Sequence, residues 1–223
     1  MSVKQEKKKG SRPGSHRSVI RKLQGENARL QQELNELKLI YENTMEHGTF
    51  IENELDEQIR KTTILSLTDP LTGIYNRLKL HQSLNQEIDR RRQHENIPCL
   101  IMFDIDHFKL VNDGYGHHTG DTVLIELICL VGALIRKTDI FARWGGEEFI
   151  VLALNRELEG CRLLAERIRR EVELHVFPKV SRLTCSFGVA QMLADDTADD
   201  LLSRVDKAMY KSKEEGRNRV TVL

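Results

Sequence analysis

Between Val19 and Leu67 the apolar positions trace a helical seam. Leu23, Asn27, Leu30, Leu34, Leu37 and Tyr41 alternate in steps of 4 and 3, the repeat that puts one stripe along a coiled coil. A lone Asn in such a seam fixes register in a two-stranded coil. The pattern weakens from Thr44 through Gly48, then resumes at Ile51, Leu55 and Ile59, where two successive steps of four read as a stutter. With no proline in this span, one helix roughly 75 Å long is expected at 1.5 Å per residue. So thin a rod cannot bury its own stripe, which predicts a parallel homodimer.

Thr68-Asp69-Pro70-Leu71-Thr72-Gly73 stops the helix, with Pro70 ending it and Gly73 supplying the turn. The pattern then changes. Asn76 to about Glu95 reads as an amphipathic helix on Leu78, Leu80, Leu84 and Ile88, and Pro98 to Ile105 as a buried strand. A helical pattern runs on to Arg136. Short strands at Ile140–Ala142 and Phe149–Leu154 flank Gly145-Gly146, a tight-hairpin signal because both glycines can take positive φ. Glu157–Val176 is helical, Leu183–Met192 a strand, Thr197–Glu215 a helix and Arg219–Leu223 a last strand. Strands alternating with helices predict an α/β domain on a central sheet, mixed because of the hairpin. The expected organisation is a disordered basic arm over 1–18, a coiled-coil dimerisation and signalling helix over 19–68, and the α/β domain over 69–223.

Charge changes this picture little. Lys plus Arg and Asp plus Glu are both 34, so no global field points to nucleic acid. Residues 1–18 carry six cations against Glu6 without the apolar core of a signal peptide. The longest apolar run, Leu124 to Ile135, is interrupted by Glu126 and Gly132 and is far short of a membrane span. Cys99, Cys129, Cys161 and Cys185 lack C-x-x-C spacing, so neither a metal nor disulfides are expected of them. A cytoplasmic location is expected, with no membrane segment and no nucleic-acid partner.

The candidate chemistry is acidic. Asp104 closes the buried strand, and α/β sheets bind ligands at strand ends. If the hairpin lies beside this strand, Asp104 and Glu147 converge. Hard oxygen ligands without His or Cys suit Mg²⁺, with Mn²⁺ the alternative. Backbone N–H groups between Ile105 and Phe108 face phosphate where the next helix opens, and Lys109 adds a point charge. Asn112 and Asp121 complement a purine edge, and an acid there selects guanine over adenine. Lys213 and Arg217 suit either a helix C-terminus or a triphosphate.

The segments D-P-L-T-G-I-Y-N-R, F-D-I-D-H-F-K-L-V-N-D, G-H-H-T-G-D, R-W-G-G-E-E-F and K-E-E-G-R-N-R together resemble the GGDEF family of diguanylate cyclases, over about residues 67 to 223. The resemblance implies a five-stranded sheet wrapped by helices, related to the palm of nucleotide cyclases and polymerases. It implies condensation of two GTP into cyclic di-GMP with release of two pyrophosphates. It makes Asp104, the Ile105 carbonyl and Glu147 the metal ligands, and Asn112 and Asp121 the guanine readers. His117 and Phe108 fall at further substrate contacts, and Lys109, Lys213 and Arg217 at phosphate contacts. Glu148 belongs to the acidic pair. Arg136-Lys137-Thr138-Asp139 resembles the family's R-x-x-D site, where cyclic di-GMP acts as product inhibitor, with Arg90, Arg91 or Arg92 as candidates for a second arginine. The alternative reading is a catalytically silent module that binds cyclic di-GMP or GTP and signals through the coil.

Overall fold

The computed structural model describes residues 13–91, 97–154 and 156–223, and the chain divides between Lys61 and Thr62 into two compact units. The described part of the first belongs to a single helix, α1 (Pro13–Leu67), 55 residues long, whose last residues fall in the second unit. Its first turn takes up the last residues of the expected arm, with Pro13 at a position where a missing N–H costs nothing; residues 1–12 of that arm lie outside the described residues. Leu23, Leu30, Leu34, Leu37, Tyr41, Ile51, Leu55 and Ile59 are all more than half exposed. The seam is therefore continuous and uncovered within one chain. In the weak stretch the Thr44 hydroxyl donates to the Ile40 carbonyl at 2.7 Å and Thr49 to Glu46 at 2.9 Å, so these side chains turn back on the helix.

The second unit is a sheet covered on both faces. Its elements are β1 (Tyr75–Asn76), α2 (Arg77–Arg91), β2 (Cys99–Ile105), α3 (Phe108–Tyr115), α4 (His117–Gly132), β3 (Ile140–Arg143), β4 (Glu148–Ala153), α5 (Leu158–Leu174), β5 (Cys185–Gln191), α6 (Ala198–Glu214) and β6 (Val220–Val222). The strand order is β1-β3-β4-β2-β5-β6. The outer pairs β1–β3 and β5–β6 are parallel and the inner three pairs antiparallel. Six strands stand where the resemblance implied five, because β1 is a two-residue edge strand too short to show any alternation.

Central β2 is buried along its whole length, which is why it reads as an unbroken apolar run rather than an alternating one. One face packs Leu100 and Met102 against Leu80 and Leu84 of α2 and Leu201, Val205 and Met209 of α6. The other packs Ile101, Phe103 and Ile105 against α3, α4 and α5. Phe103 stands opposite both Phe149 and Phe187 in register, with ring centroids 5.4 and 5.0 Å away. That stack sets how the carboxyl end of β2 lies against the start of β4. The pattern expected as one helix to Arg136 is broken at Gly116, whose φ of 81° and ψ of 156° no helix accommodates. The break folds α4 back beside α3.

Candidate active site

The site is built at the end of β2. Asp104 pairs directly with Glu148 across the antiparallel ladder, so both side chains leave the same face of the sheet. The Ile105 N–H reaches the Glu147 carbonyl at 3.4 Å, so the backbones of Ile105 and Glu147 meet next to Asp104. Lys213, at the end of α6, sits 2.9 Å from the Asp104 carboxylate. Burial pushes the carboxyls of Asp104, Glu147 and Glu148 above their ordinary range. For both glutamates the Asp104 charge adds to that effect, while Lys213 opposes it in all three. Arg217 also lowers Asp104.

Three mutually repelling carboxylates against these two cations leave an excess of negative charge that a divalent cation would neutralise. The donors are hard oxygens, which fits Mg²⁺. Among the described residues no three His, Cys, Asp or Glu side chains group closely enough to enclose a metal by themselves. Such an ion would complete its shell with waters and phosphate oxygens.

The hairpin between β3 and β4 is shaped differently from expectation. Neither Gly145 nor Gly146 takes a positive φ. A Cβ at Gly145 would lie 2.6 Å from a Glu148 carboxylate oxygen, which would have to shift to admit it. The loop is held by Arg143, to which the sequence pattern assigns no role. Its guanidinium donates to the Gly145 carbonyl at 3.1 Å and the Gly146 carbonyl at 3.1 and 2.6 Å. It also forks onto Asp69 at 3.1 and 3.2 Å. Asp69 in turn accepts from the Thr72 N–H and hydroxyl at 2.9 and 2.6 Å. The D-P-L-T turn is thus tied to the carbonyls that immediately precede Glu147. Trp144 packs under the Arg77 guanidinium, 4.1 Å from its ring centre, with His81 beside it at 5.3 Å.

Asn112 and Phe108 from α3 meet Gly120 from α4. A Cβ at Gly120 would fall 2.0 Å from Asn112 Oδ1 and 3.3 Å from the Phe108 ring. Glycine here lets the two helices approach, and Asp121 is the next residue along α4. His117 starts α4 and is exposed, as is Lys109 in the first turn of α3. That turn follows His107 in the left-handed region; the Leu110 N–H donates to the His107 carbonyl at 2.9 Å, and the N–H groups of Phe108 and Lys109 precede the first helical carbonyl that could receive them. Asp106 does not join the acidic cluster. It is buried, and accepts from the Thr184 hydroxyl and the Ser186 hydroxyl, each at 2.7 Å, and from the Asn218 N–H at 3.2 Å.

Arg136 and Asp139 serve different ends. Arg136 is exposed on the rim of a cleft of about 560 Å³ lined by Ile74, Ile128 and Phe141. The Asp139 side chain is fully buried, accepting from the Arg136 N–H at 3.0 Å and the Leu154 N–H at 3.4 Å, with Arg156 at 3.7 Å. Its carboxylate closes the turn that carries Arg136. Of the candidate second arginines, Arg90 is paired with Glu87 at 2.7 Å; the Arg91 side chain and Arg92 lie outside what the structure describes.

Comparison with known proteins agrees with this geometry. The family model described as "Diguanylate cyclase, GGDEF domain" matches residues 66–219. Diguanylate cyclase DgcP of Pseudomonas aeruginosa is 38% identical over 173 residues, covering 76% of this chain and 25% of that protein. Diguanylate cyclase VdcA of Vibrio cholerae is 34% identical over 212 residues, covering 92% of this chain and 60% of that protein. The chain therefore spans from a quarter to three-fifths of these relatives' lengths. Among solved structures, the coiled coil and GGDEF domain of DgcB from Caulobacter crescentus, in complex with c-di-GMP, superposes with a TM-score of 0.77 at 29% identity over 82% of this chain and 98% of that one. Its match reaches beyond the α/β domain into α1. On the family match, the relatives and the acidic strand end together, the chain belongs to the diguanylate cyclase GGDEF-domain family.

Proposed function

We propose that the domain condenses two GTP into cyclic di-GMP with release of two pyrophosphates, working as a homodimer joined through α1. The observation that carries the proposal is the meeting of Asp104, Glu147 and Glu148 with Lys213 and Arg217 beside the open N-terminus of α3. Acid and base are arranged there for a metal-bound triphosphate.

In this reading Asp104, the Ile105 carbonyl and Glu147 would hold Mg²⁺ or Mn²⁺. When bound, the ion supplies charge neutralisation on the phosphates and a lower pKa for the attacking 3′-hydroxyl. The first-turn N–H groups of α3, Lys109, Lys213 and Arg217 bind the triphosphate and draw charge off it as pyrophosphate departs. Asn112 and Asp121 read the guanine edge, Phe108 walls that pocket, and His117 closes its outer side. Glu148 lies against Asp104 and keeps the acidic end poised for a cation. Each domain holds one GTP, so each 3′-hydroxyl must meet the α-phosphate in the other domain. Holding reactants in such geometry lowers a barrier by about 7–11 kcal/mol, and the α1 seam provides the tether. Arg136 binds the product's phosphate or guanine edge and makes cyclic di-GMP an inhibitor. Among the described residues no helix is long and apolar enough to cross a membrane, and a cytoplasmic location accompanies the proposal.

The test is turnover. Incubated with GTP and Mg²⁺, the protein should produce cyclic di-GMP and pyrophosphate, and Asp104→Ala or Glu147→Ala should abolish both while circular dichroism stays unchanged. Binding of cyclic di-GMP or GTP without turnover by the wild type would refute the proposal and leave a signalling module.

A further inference from the structure

The turn joining α6 to β6 is left-handed at two successive residues other than glycine: φ is 64° at Arg217 and 47° at Asn218. Side chains other than Gly, Asn and Asp are disfavoured there, so Arg217 keeps this conformation only because its surroundings hold it. The Arg217 N–H is satisfied by the Ser212 carbonyl at 2.9 Å. The remaining restraint comes through the next residue. The Asn218 N–H donates to buried Asp106 at 3.2 Å. Its side-chain oxygen accepts from Arg169 at 2.8 Å, and its amide nitrogen donates to Glu173 at 2.8 Å.

The partners of Asn218 are themselves fixed. Arg169 is 12% exposed and forks onto Glu166 at 2.8 and 3.0 Å, with Glu173 at 2.9 Å. Asp106 is pinned by Thr184 and Ser186 of the β5 edge. Asn218 thus joins the end of β2, the C-terminal half of α5 and the C-terminal turn, and its amide is turned toward α5 rather than toward the acidic cluster. Glu173 shows the same tie from the other side: the Asn218 amide first, and Arg169 next, hold its carboxyl below the ordinary range.

We propose that Asn218 is a positioning residue for the triphosphate, acting through Arg217. It locks the left-handed turn that carries Arg217, directly after the helix whose Lys213 lies 2.9 Å from Asp104 at the phosphate end of the site. The proposal rests on the reading of Arg217 as a phosphate contact given above. Arg169, on a helix that contributes no substrate contact, is the outer support of the same device.

A double-mutant cycle tests it. Asn218→Gly keeps the left-handed preference and removes both side-chain bonds, and Arg169→Met removes one of the two Asn218 side-chain bonds, along with the Arg169 bonds to Glu166 and Glu173, without touching the turn. Binding of a GTP analogue with a methylene bridge between the α- and β-phosphates, in Mg²⁺, is titrated alongside GTP turnover. Asn218→Gly should weaken analogue binding and raise the GTP KM by on the order of ten- to a hundredfold, the range for loss of a supporting residue, while kcat changes little. Arg169→Met should shift both in the same direction. Asn218→Gly combined with Arg217→Ala should be no worse than Arg217→Ala alone, because residues acting as one unit are non-additive. Unchanged analogue binding in Asn218→Gly, with Arg217→Ala impaired, overturns the proposal and spares the phosphate assignment. Additive losses overturn it in favour of a purely structural role. Wild-type affinity in Arg217→Ala overturns the phosphate assignment itself, and the proposal with it.

Discussion

Arg143 offers the sharpest quantitative test of how the hairpin is held. Its guanidinium contacts two loop carbonyls and forks onto Asp69, and the two side chains are 16% and 17% exposed. A hydrogen bond to a charged partner contributes about 1.5–3 kcal/mol, and removing one member of a fully buried ion pair costs about 3–5 kcal/mol. Partial exposure discounts the second figure, so Arg143→Ala should destabilise the α/β unit by about 2–3 kcal/mol. For a domain of this size that lowers Tm by about 5–10 °C. Asp69→Ala should cost a similar amount, since it also strips Thr72 of its acceptor.

Burial acts to raise the Asp69 carboxyl, but the Thr72 hydroxyl, the Thr72 N–H and Arg143 together leave it below its ordinary value. A lowered carboxyl adds stability that is full above the unfolded pKa and is lost as pH falls through the folded one. The Arg143–Asp69 coupling should therefore persist at neutral pH and fade below about pH 4. Thermal unfolding of wild type, both single variants and the double variant, at pH 7 and near pH 3, gives the coupling energy directly. A coupling below about 0.5 kcal/mol at pH 7, the level at which independent sites simply add, would show that the fork is incidental. Turnover should fall more than stability does, because Glu147 follows the clamped carbonyl of Gly146 directly.

Three further outcomes are expected. Gly120→Ala displaces Asn112 and should raise the GTP KM roughly tenfold, matching about 1–2 kcal/mol for a lost polar contact, with ATP affinity unchanged; equal KM values for wild type and variant would separate Asn112 from guanine reading. Arg136→Ala should relieve inhibition by added cyclic di-GMP at unchanged Tm, whereas Asp139→Ala should cost about 1–3 kcal/mol by orphaning the N–H groups it accepts from; inhibition curves and melting curves that move together in both variants would contradict that division. Leu30→Asp with Leu34→Asp should give monomers by light scattering whose turnover depends steeply on protein concentration, and a monomer fully active at nanomolar concentration would remove the coil from catalysis.

The acidic strand end was legible because sheet pairing is local chemistry. An apolar run closed by Asp104 and a hairpin opening on Glu147-Glu148 can hardly pair except side by side. The Gly116 break was not, since a single glycine inside an otherwise helical pattern reads as a tolerated one, and β1 was too short to register. Arg143 went without a role because its partner Asp69 lies 74 positions away, and nothing in either local pattern marks the bond. Asp139 shows the opposite difficulty. An acid three residues after an arginine looks the same whether it meets a ligand or closes its own turn, and only burial separates the two.

The turn before β1 has a consequence for the hairpin. Asn76 accepts from the Lys79 N–H at 3.1 Å at the start of α2, and its amide donates to the Ser66 carbonyl at 2.8 Å at the end of α1. Thr68 bridges Tyr75, and the Asp69 N–H meets the Ile74 carbonyl at 2.8 Å. The whole turn closes on itself within about a dozen residues and carries no slack. Because the Asp69 carboxylate in this turn also holds Arg143, a change in the turn reaches the hairpin carbonyls through a single side chain.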